Sequence, residues 1–221
     1  MLQTIRKNLL QIQEEIAPFK PNIIAVTKYF DKNAIVVAYQ AGLRHFAESR
    51  AIEAIAKINN LPAEIRSNSY FHFIGHLQSN KVKKVVANFD FIHSVDSQKL
   101  AEIISEEAFK LNKVQKIFLQ LNNAEEEQKY GFSKSKLLET FPQIIKLPGV
   151  QVMGLMNMTP LGADEKVLNE LFLDVKNTQQ ILNKDFDCNM TEISMGMSQD
   201  YKIAAQCGST MLRIGRKLFN Q

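Results

Sequence analysis

The sequence predicts an α/β fold made of a single (β/α)8 TIM barrel with an extra N-terminal helix. Eight strand-like apolar runs alternate with eight helix-like segments, without a linker or a change in composition between them. The length of 221 residues also lies within the range of one α/β barrel. A doubly wound open sheet would have parallel strands too, but eight repeated units favour the closed barrel. We therefore expect residues 1–221 to form one domain.

The predicted elements follow one another along the chain. The first is an amphipathic helix that ends before Pro18. Its apolar positions are Leu2, Ile5, Leu9, Ile12 and Ile16. The strand candidates are then NIIAVTK, HFAES, YFHFIG, FDFIHSVD, QKIFLQLN, VQVMGLMNM, EISMGM and TMLRIG. Four serines that each precede a predicted helix are expected N-caps: Ser79, Ser97, Ser133 and Ser198.

The composition excludes several classes of protein. Of the residues, 45% are hydrophobic and 23% are charged, which is typical of a globular protein, and a chain of this length can bury a large core without metals or disulfides. The net charge of +4 arises from interspersed acids and bases, so no nucleic-acid partner is indicated. Cys188 and Cys207 have no metal or redox spacing, and the N-terminus lacks a signal peptide's apolar segment. Because no stretch is long enough to span a membrane, we expect a cytoplasmic protein, which we take to be a monomer.

Polar residues collect at the ends of the predicted strands. In a barrel all strand carboxyl ends face one rim, where active sites of this fold are built. The residues at these ends are Lys28, Glu48, Ser49, Arg50, His76, Asp96, Asn122, Asn157, 194–198, Arg213 and Gly215. Strand ends are polar in most proteins, but a lysine, an arginine and two glycine-containing turns on one rim favour a ligand site.

The two glycine-containing turns follow predicted strands 7 and 8. In SMGMSQD, Gly196 precedes Ser198, and in LRIGRKLF, Gly215 precedes Arg216, which begins the last helix. The free N–H groups of a helix N-terminus bind phosphate, and barrels commonly place phosphate after strands 7 and 8. Both glycines could instead serve only as turn residues.

Lys28 ends the first buried strand, although an ammonium is expensive to desolvate. One interpretation is that its side chain extends to solvent. The other is a partly desolvated pocket, in which a lysine loses its proton more easily and can form a Schiff base. A ligand with both an aldehyde and a phosphate would suit the lysine and the turns together, and pyridoxal 5′-phosphate (PLP) is such a molecule.

Five segments of the chain are more distinctive: AVTK, FHFIGHLQSNK, HSVD, GLMNM and SMGMSQDYKIAAQCGSTMLRIGR. They closely resemble the pyridoxal phosphate homeostasis proteins (the YggS/PROSC family), in the family's order and over essentially the whole chain. The resemblance implies a barrel like the N-terminal domain of alanine racemase. It also implies a protein that holds PLP for vitamin B6 homeostasis without catalytic turnover, with PLP-dependent apoenzymes as candidate recipients.

The resemblance also assigns roles to single residues. Lys28 would hold the cofactor as a Schiff base. Met197 through its backbone, and Ser198 through backbone and hydroxyl, would bind the phosphate together with the N–H groups at Gly215 and Arg216.

Arg213 matches the arginine that fold-type III enzymes place against the pyridine nitrogen, although a salt bridge across the barrel mouth is an alternative. The chain departs from the family at 47–49, where it has Ala-Glu-Ser instead of the usual Gly-Glu-Asn. Serine is shorter than asparagine, so Ser49 is expected near the cofactor but as a weaker contact. His76 is expected as a rim residue near the same site.

Two enzymatic alternatives stay open. A PLP-dependent racemase needs two acid–base groups on opposite faces of its substrate. Alanine racemase takes one of them, a tyrosine, from a second domain that we do not expect here, and the tyrosines near predicted rim loops are Tyr29, Tyr130 and Tyr201. A Schiff-base lyase for phosphorylated sugars would need a second lysine or an acid beside Lys28.

The remaining histidines and one acidic segment give weaker signals. His72 and His76 are four residues apart on a strand rather than a helix, so they do not indicate a metal pair. Strand alternation places His72 inward, whereas His45 and His93 have no partner nearby in the sequence. The segment AEEEQKYGF is most simply a solvated loop that could flank the barrel mouth.

Overall fold

The computed structural model describes residues 1–124 and 130–220 and contains a closed barrel of eight parallel strands, each paired with the next. The strands are β1 (Asn22–Val26), β2 (His45–Glu48), β3 (Tyr70–Phe73), β4 (Phe91–Val95), β5 (Gln115–Leu121), β6 (Val150–Asn157), β7 (Glu192–Met197) and β8 (Met211–Ile214). The barrel closes where β8 pairs with β1, with Arg213 opposite Ile24. The predicted barrel is therefore confirmed, and the open sheet is excluded.

Helices surround the barrel. Within the two described ranges they are α1 (Leu2–Glu15), α2 (Lys32–Gln40), α3 (Ala51–Asn59), α4 (Ala63–Ser67), α5 (Val82–Asn88), α6 (Gln98–Lys110), α7 (Lys134–Ile144), α8 (Glu165–Asp185), α9 (Tyr201–Gln206) and α10 (Arg216–Phe219). The extra N-terminal helix is confirmed as α1. The sequence pattern does not predict α4, because five residues are too few to show a helical period. None of these helices is long and apolar enough to cross a membrane.

Two of the four predicted N-caps are confirmed. Ser97 and Ser133 accept hydrogen bonds from backbone N–H groups in the first turns of α6 and α7. Ser79 is instead the first residue of a 3-10 helix (Ser79–Lys81), so this prediction is wrong. Ser198 is also not a cap, because the N-cap position of α9 is Asp200. The Ser198 hydroxyl contacts a different helix, which local sequence spacing does not show.

The barrel interior differs from the layer between strands and helices. Its apolar side chains form a small separate cluster: Ile24, Ala47, Phe91, Phe118, Met156 and Met211. Interiors of this fold are usually filled by branched apolar residues. Here His72, His93, Ser194 and Arg213 are also buried, and they belong to β3, β4, β7 and β8. The interior of this barrel is therefore partly polar, and the polar residues lead to the rim.

Glycine is required at two of the turns near the rim. A Cβ atom at Gly75 would lie 2.1 Å from the carbonyl oxygen of Ser49, so only glycine lets the loops after β2 and β3 approach this closely. Gly196 has a φ of +91°, and a Cβ there would lie 2.5 Å from the Cβ of Ala204. The predicted acidic loop after β5 lies largely outside the described residues, since 125–129 are not among them.

Candidate functional site

A cavity of about 660 Å³ lies at the carboxyl-terminal rim of the barrel. Most of its lining comes from the ends of β1, β6, β7 and β8 and from the segments that follow them, and Ile74 after β3 completes it. Six of the eight predicted ligand-binding residues line it: Lys28, Met197, Ser198, Arg213, Gly215 and Arg216. The structure therefore brings the predicted lysine and the predicted phosphate turns to one place.

The cavity combines positive charge with an apolar wall. Among the described residues that line it, the charged ones are Lys28, Arg213 and Arg216, and no carboxylate is included. The apolar wall consists of Val26, Phe30, Ile74, Met156, Met158, Leu161 and Met197. An anionic ligand with an apolar body matches such a site better than a neutral or cationic molecule.

Lys28 follows a rigid stretch of backbone. Its predecessor Thr27 is buried, and the Thr27 N–H donates to the carbonyl oxygen of Ala47 at 3.0 Å. The Thr27 hydroxyl also donates to the Glu48 carboxylate at 2.7 Å. The Lys28 side chain is half-buried, and its Nζ lies 5.0 Å from the centroid of the Tyr29 ring. The backbone that leads to Lys28 is thus fixed, and Lys28 lines the cavity.

The two turns that the sequence predicts to bind phosphate contribute hydrogen-bond donors as well as charge. The Ser198 hydroxyl accepts hydrogen bonds from the N–H groups of Gly215 and Lys217, both at 3.3 Å. These are long bonds, so the N–H groups retain capacity for an anion placed beside the hydroxyl. The Met197 N–H donates to the Asp200 carboxylate instead, so its predicted contact with a phosphate remains a prediction. Since α10 has only four residues, the groups available to an anion here are these donors and Arg216 rather than a helix dipole.

Arg213 is held in the floor of the cavity by two neutral partners. Its side chain is 4% exposed, with Nη1 donating to the Ser194 hydroxyl and Nη2 to the Asn157 carbonyl oxygen, both at 2.7 Å. Burial lowers the pKa of Arg213 to about 10, so the guanidinium is still charged at neutral pH. The alternative of a salt bridge across the mouth is not supported, because both of these partners are uncharged.

Ser49 and His76 lie apart from the other predicted residues. Both line a smaller cavity of about 260 Å³ beside the rim. The His76 ring stacks on Tyr130 with centroids 3.7 Å apart, and its Nδ1 lies 3.4 Å from the Asp96 carboxylate. The structure does not bring these two residues into the cavity that holds Lys28, and their role in binding remains a prediction.

The sequence did not identify the cavity wall or the partners of Arg213. Met158 and Leu161 belong to the loop after β6, where no pattern distinguishes a ligand contact from an exposed apolar residue. Ser194 and Asn157 were visible as strand-end residues, but their contact with Arg213 depends on the barrel register. Predicting such a contact from sequence would require knowing which residues lie opposite each other on neighbouring strands.

The fold and the site place this chain in a known class of barrel. A family model described as "Alanine racemase, N-terminal domain" matches residues 1–220. A curated pyridoxal phosphate homeostasis protein from Synechocystis sp. is 41% identical over 208 residues, which cover 93% of this chain and 94% of that protein. The chain therefore belongs to the alanine racemase N-terminal domain family and, within it, to the pyridoxal phosphate homeostasis proteins.

Solved structures agree with this assignment. PipY of Synechococcus elongatus PCC7942, determined with PLP bound, is 37% identical to this chain, with a TM-score of 0.88 and coverage of 98% of this chain and 100% of that one. Alanine racemase from Clostridium difficile 630 is 14% identical, with a TM-score of 0.78, and the match covers 99% of this chain and 56% of the racemase. The racemase match shows a shared fold and nothing about shared activity.

Proposed function

We propose that this protein binds PLP in the rim cavity and holds it as a Schiff base on Lys28. The observation that carries the proposal is that one cavity contains a lysine, a buried arginine and a set of anion-binding donors. The names of the homologues and the PLP-bound structure of PipY support the same ligand. When bound, PLP supplies an aldehyde that condenses with amines and a ring that withdraws electrons.

The donors in the cavity fit the two ends of this ligand. The Ser198 hydroxyl, the N–H groups of Gly215 and Lys217, and the Arg216 side chain would bind the phosphate. Arg213 would place a guanidinium N–H against the pyridine nitrogen, which accepts that hydrogen bond only while it is unprotonated. A ring with an unprotonated nitrogen withdraws electrons less strongly than a protonated one.

Attachment to Lys28 needs a neutral amine. The Nζ lone pair forms the bond to the aldehyde carbon, the carbonyl oxygen leaves as water, and one C=N bond replaces one C=O bond. No oxidant or reductant is required, and water reverses the step. A reversible covalent bond of this kind allows the protein both to retain PLP and to release it to PLP-dependent apoenzymes.

Absorption spectroscopy combined with chemical trapping tests the proposal. Purified protein mixed with PLP should develop a visible absorption band, and borohydride should fix the cofactor to the peptide that contains Lys28. Lys28→Ala should lose the band and the trapped peptide. Lys32→Ala is the matched control, because Lys32 is an exposed lysine in the first turn of α2. A protein that takes up no PLP, or trapping that is equal in the two variants, would refute the proposal.

Two further measurements separate storage from catalysis. Deuterium exchange at the α-carbon of common amino acids should stay at the background rate of free PLP, whereas brisk exchange would favour the racemase-like alternative. Borohydride trapping of cofactor-free protein with sugar phosphates should give no adduct. An adduct on Lys28 under those conditions would favour the lyase alternative.

A further inference from the structure

A chain of hydrogen bonds runs through the interior of the barrel and ends at Arg213. Nη1 of Arg213 lies 2.7 Å from the Ser194 hydroxyl, which lies 2.8 Å from Nδ1 of His93. Nε2 of His93 lies 2.8 Å from Nδ1 of His72, and Nε2 of His72 lies 2.9 Å from Nδ1 of His45. His72, His93 and Ser194 are completely buried, whereas His45 is half-buried at the start of β2. The chain therefore links the rim cavity to the opposite end of the barrel.

The chemistry of arginine gives this chain one direction. A guanidinium can only donate, so the Ser194 oxygen must accept from Arg213. The buried Ser194 proton then needs an acceptor of its own, and among the hydrogen bonds of the described residues Nδ1 of His93 provides it, which places the His93 proton on Nε2. By the same logic His93 donates to His72, and His72 donates to His45. All three rings are then neutral and carry their proton on Nε2.

The surroundings of the histidines favour the neutral state. Burial lowers the pKa values of His72 and His93 well below the usual range, and the charge of Arg213 further lowers the pKa of His93. Burial also lowers the pKa of His45, against the opposing effect of the carboxylates of Asp90 and Glu192.

Two phenylalanine rings hold the inner histidines in place. His72 stacks on Phe91 with ring centroids 4.5 Å apart and an angle of 4° between the planes. His93 stacks on Phe118 at 4.2 Å. Rings fixed in this way cannot turn to find other hydrogen-bond partners. Packing therefore restrains the ring planes, and the hydrogen bonds along the barrel interior set the positions of the nitrogens.

We propose that His93 and Ser194 are positioning residues that orient Arg213 toward the bound ligand, with His72 and His45 fixing the direction of the chain. This rests on the proposed function, because it assigns the ligand's ring nitrogen to the guanidinium. Ser194 and the Asn157 carbonyl each take one N–H of Arg213, and the chain keeps the Ser194 lone pair directed at Nη1. Without an acceptor for its proton, the Ser194 hydroxyl could turn and direct that proton at the guanidinium.

Nuclear magnetic resonance of isotope-labelled histidine side chains tests the direction of these hydrogen bonds without any cofactor. In the wild-type protein at neutral pH, His45, His72 and His93 should all be neutral with the proton on Nε2. A charged His72 or His93, or a proton on Nδ1 of either ring, would overturn the proposed direction. Because the experiment uses the unmodified protein without ligand, it does not depend on PLP binding.

The spectrum of the PLP complex tests the positioning role. Ser194→Ala and His93→Phe should change the visible band or its pH dependence in the same sense as Arg213→Lys. Each should also raise the Kd for PLP roughly two- to tenfold, the range expected for one neutral hydrogen bond. His93→Asn should restore much of the wild-type spectrum, because its amide oxygen can replace Nδ1 as the acceptor for Ser194.

Ser105→Ala is the matched control, since this buried serine on α6 accepts the Gly149 N–H away from the cavity. It should lower stability and leave the spectrum unchanged. Unchanged spectra in both Ser194→Ala and His93→Phe would overturn the positioning role even if the histidine tautomers are as expected. If wild-type protein takes up no PLP, the proposed function fails. The measurement of the histidine tautomers still decides whether the chain of hydrogen bonds exists.

Discussion

The ammonium of Lys57 lies 2.5 Å from the carboxylate of Glu48, in a pair whose side chains are 12% and 3% exposed. The same ammonium donates to the Thr27 carbonyl oxygen at 2.9 Å, and the Thr27 hydroxyl donates to Glu48 at 2.7 Å. A side chain from α3 and one from the end of β2 thus hold the residue that precedes Lys28. We infer that this arrangement fixes the start of the loop that carries Lys28.

The first prediction concerns the stability that this pair provides. Lys57→Met would leave the Glu48 carboxylate buried without its cation, which should cost about 3 kcal/mol of the free energy of unfolding. Adding Glu48→Gln to Lys57→Met should recover part of the loss, because no unpaired charge then remains. Urea unfolding monitored by circular dichroism measures both effects.

Lys136→Met serves as the control for this comparison. Lys136 pairs with Glu139 on the exposed face of α7, with side chains that are 57% and 67% exposed. Its removal should change the free energy of unfolding by less than about 0.5 kcal/mol. Similar losses for Lys57→Met and Lys136→Met would contradict the proposed role of the buried pair.

The second prediction concerns the phosphate. Ser198→Ala removes a hydroxyl that would bond to a charged group, which should weaken PLP binding by about 1.5–3 kcal/mol, or roughly 10- to 150-fold in Kd. Binding should not vanish, because the N–H groups of Gly215 and Lys217 remain. Titration with pyridoxal, which lacks the phosphate, is the internal control. A loss of equal size for pyridoxal would show that Ser198 does not act on the phosphate.

Much of this site is predictable from strand ends alone. Lys28 and Arg213 are charged residues at the ends of apolar runs, and Gly215 followed by Arg216 marks a turn into a helix. Parallel strands in a barrel place such ends on one rim, so local sequence is enough to collect them. The contact made by Ser198 is not predictable from local sequence, since its hydroxyl contacts α10 rather than the α9 helix that follows it in sequence.

The interior of the barrel depends on register, which the sequence pattern does not specify. Alternation along β3 correctly turns His72 inward. It does not show that His72 contacts both His45 and His93, because that requires the stagger between β2, β3 and β4. His45 and His93 have no partner nearby in the sequence, although the closed barrel brings them together with His72 in one row of hydrogen bonds.

The third prediction concerns the arginine at the end of that chain. Arg213→Ala should change the visible band of the PLP complex or its pH dependence more than it changes the affinity, because in the proposed complex Arg213 would face the ring nitrogen rather than the phosphate. Arg213→Lys should not restore the spectrum fully, since an ammonium lacks the planar fork that contacts Ser194 and Asn157 together. Unchanged spectrum and affinity in both Arg213→Ala and Ser198→Ala would show that PLP does not lie over β7 and β8. Lys28 would then be explained better as a lysine whose side chain extends to solvent.

The last prediction concerns the stability of the protein in mild acid. The folded-state pKa values of His72 and His93 are lowered by burial, whereas in the unfolded chain both should titrate near about 6.5. Below that pH the unfolded state binds more protons than the folded state, so the free energy of unfolding falls as the pH is lowered. Above it, neither state binds these protons and the effect disappears.

Each buried histidine should contribute a slope of up to about 1.4 kcal/mol per pH unit below about pH 6.5. Urea unfolding at a series of pH values between about 5 and 8 measures this slope. His72→Phe, which can keep the stacking on Phe91, should be less stable at neutral pH because the His93 Nε2–H loses its acceptor. The slope of its free energy of unfolding against pH should nevertheless be smaller, by the contribution of about one proton. This slope, and not the absolute stability, reports whether the buried ring of His72 is neutral. An acid slope in His72→Phe equal to that of the wild-type protein would show that His72 is not held neutral inside the barrel.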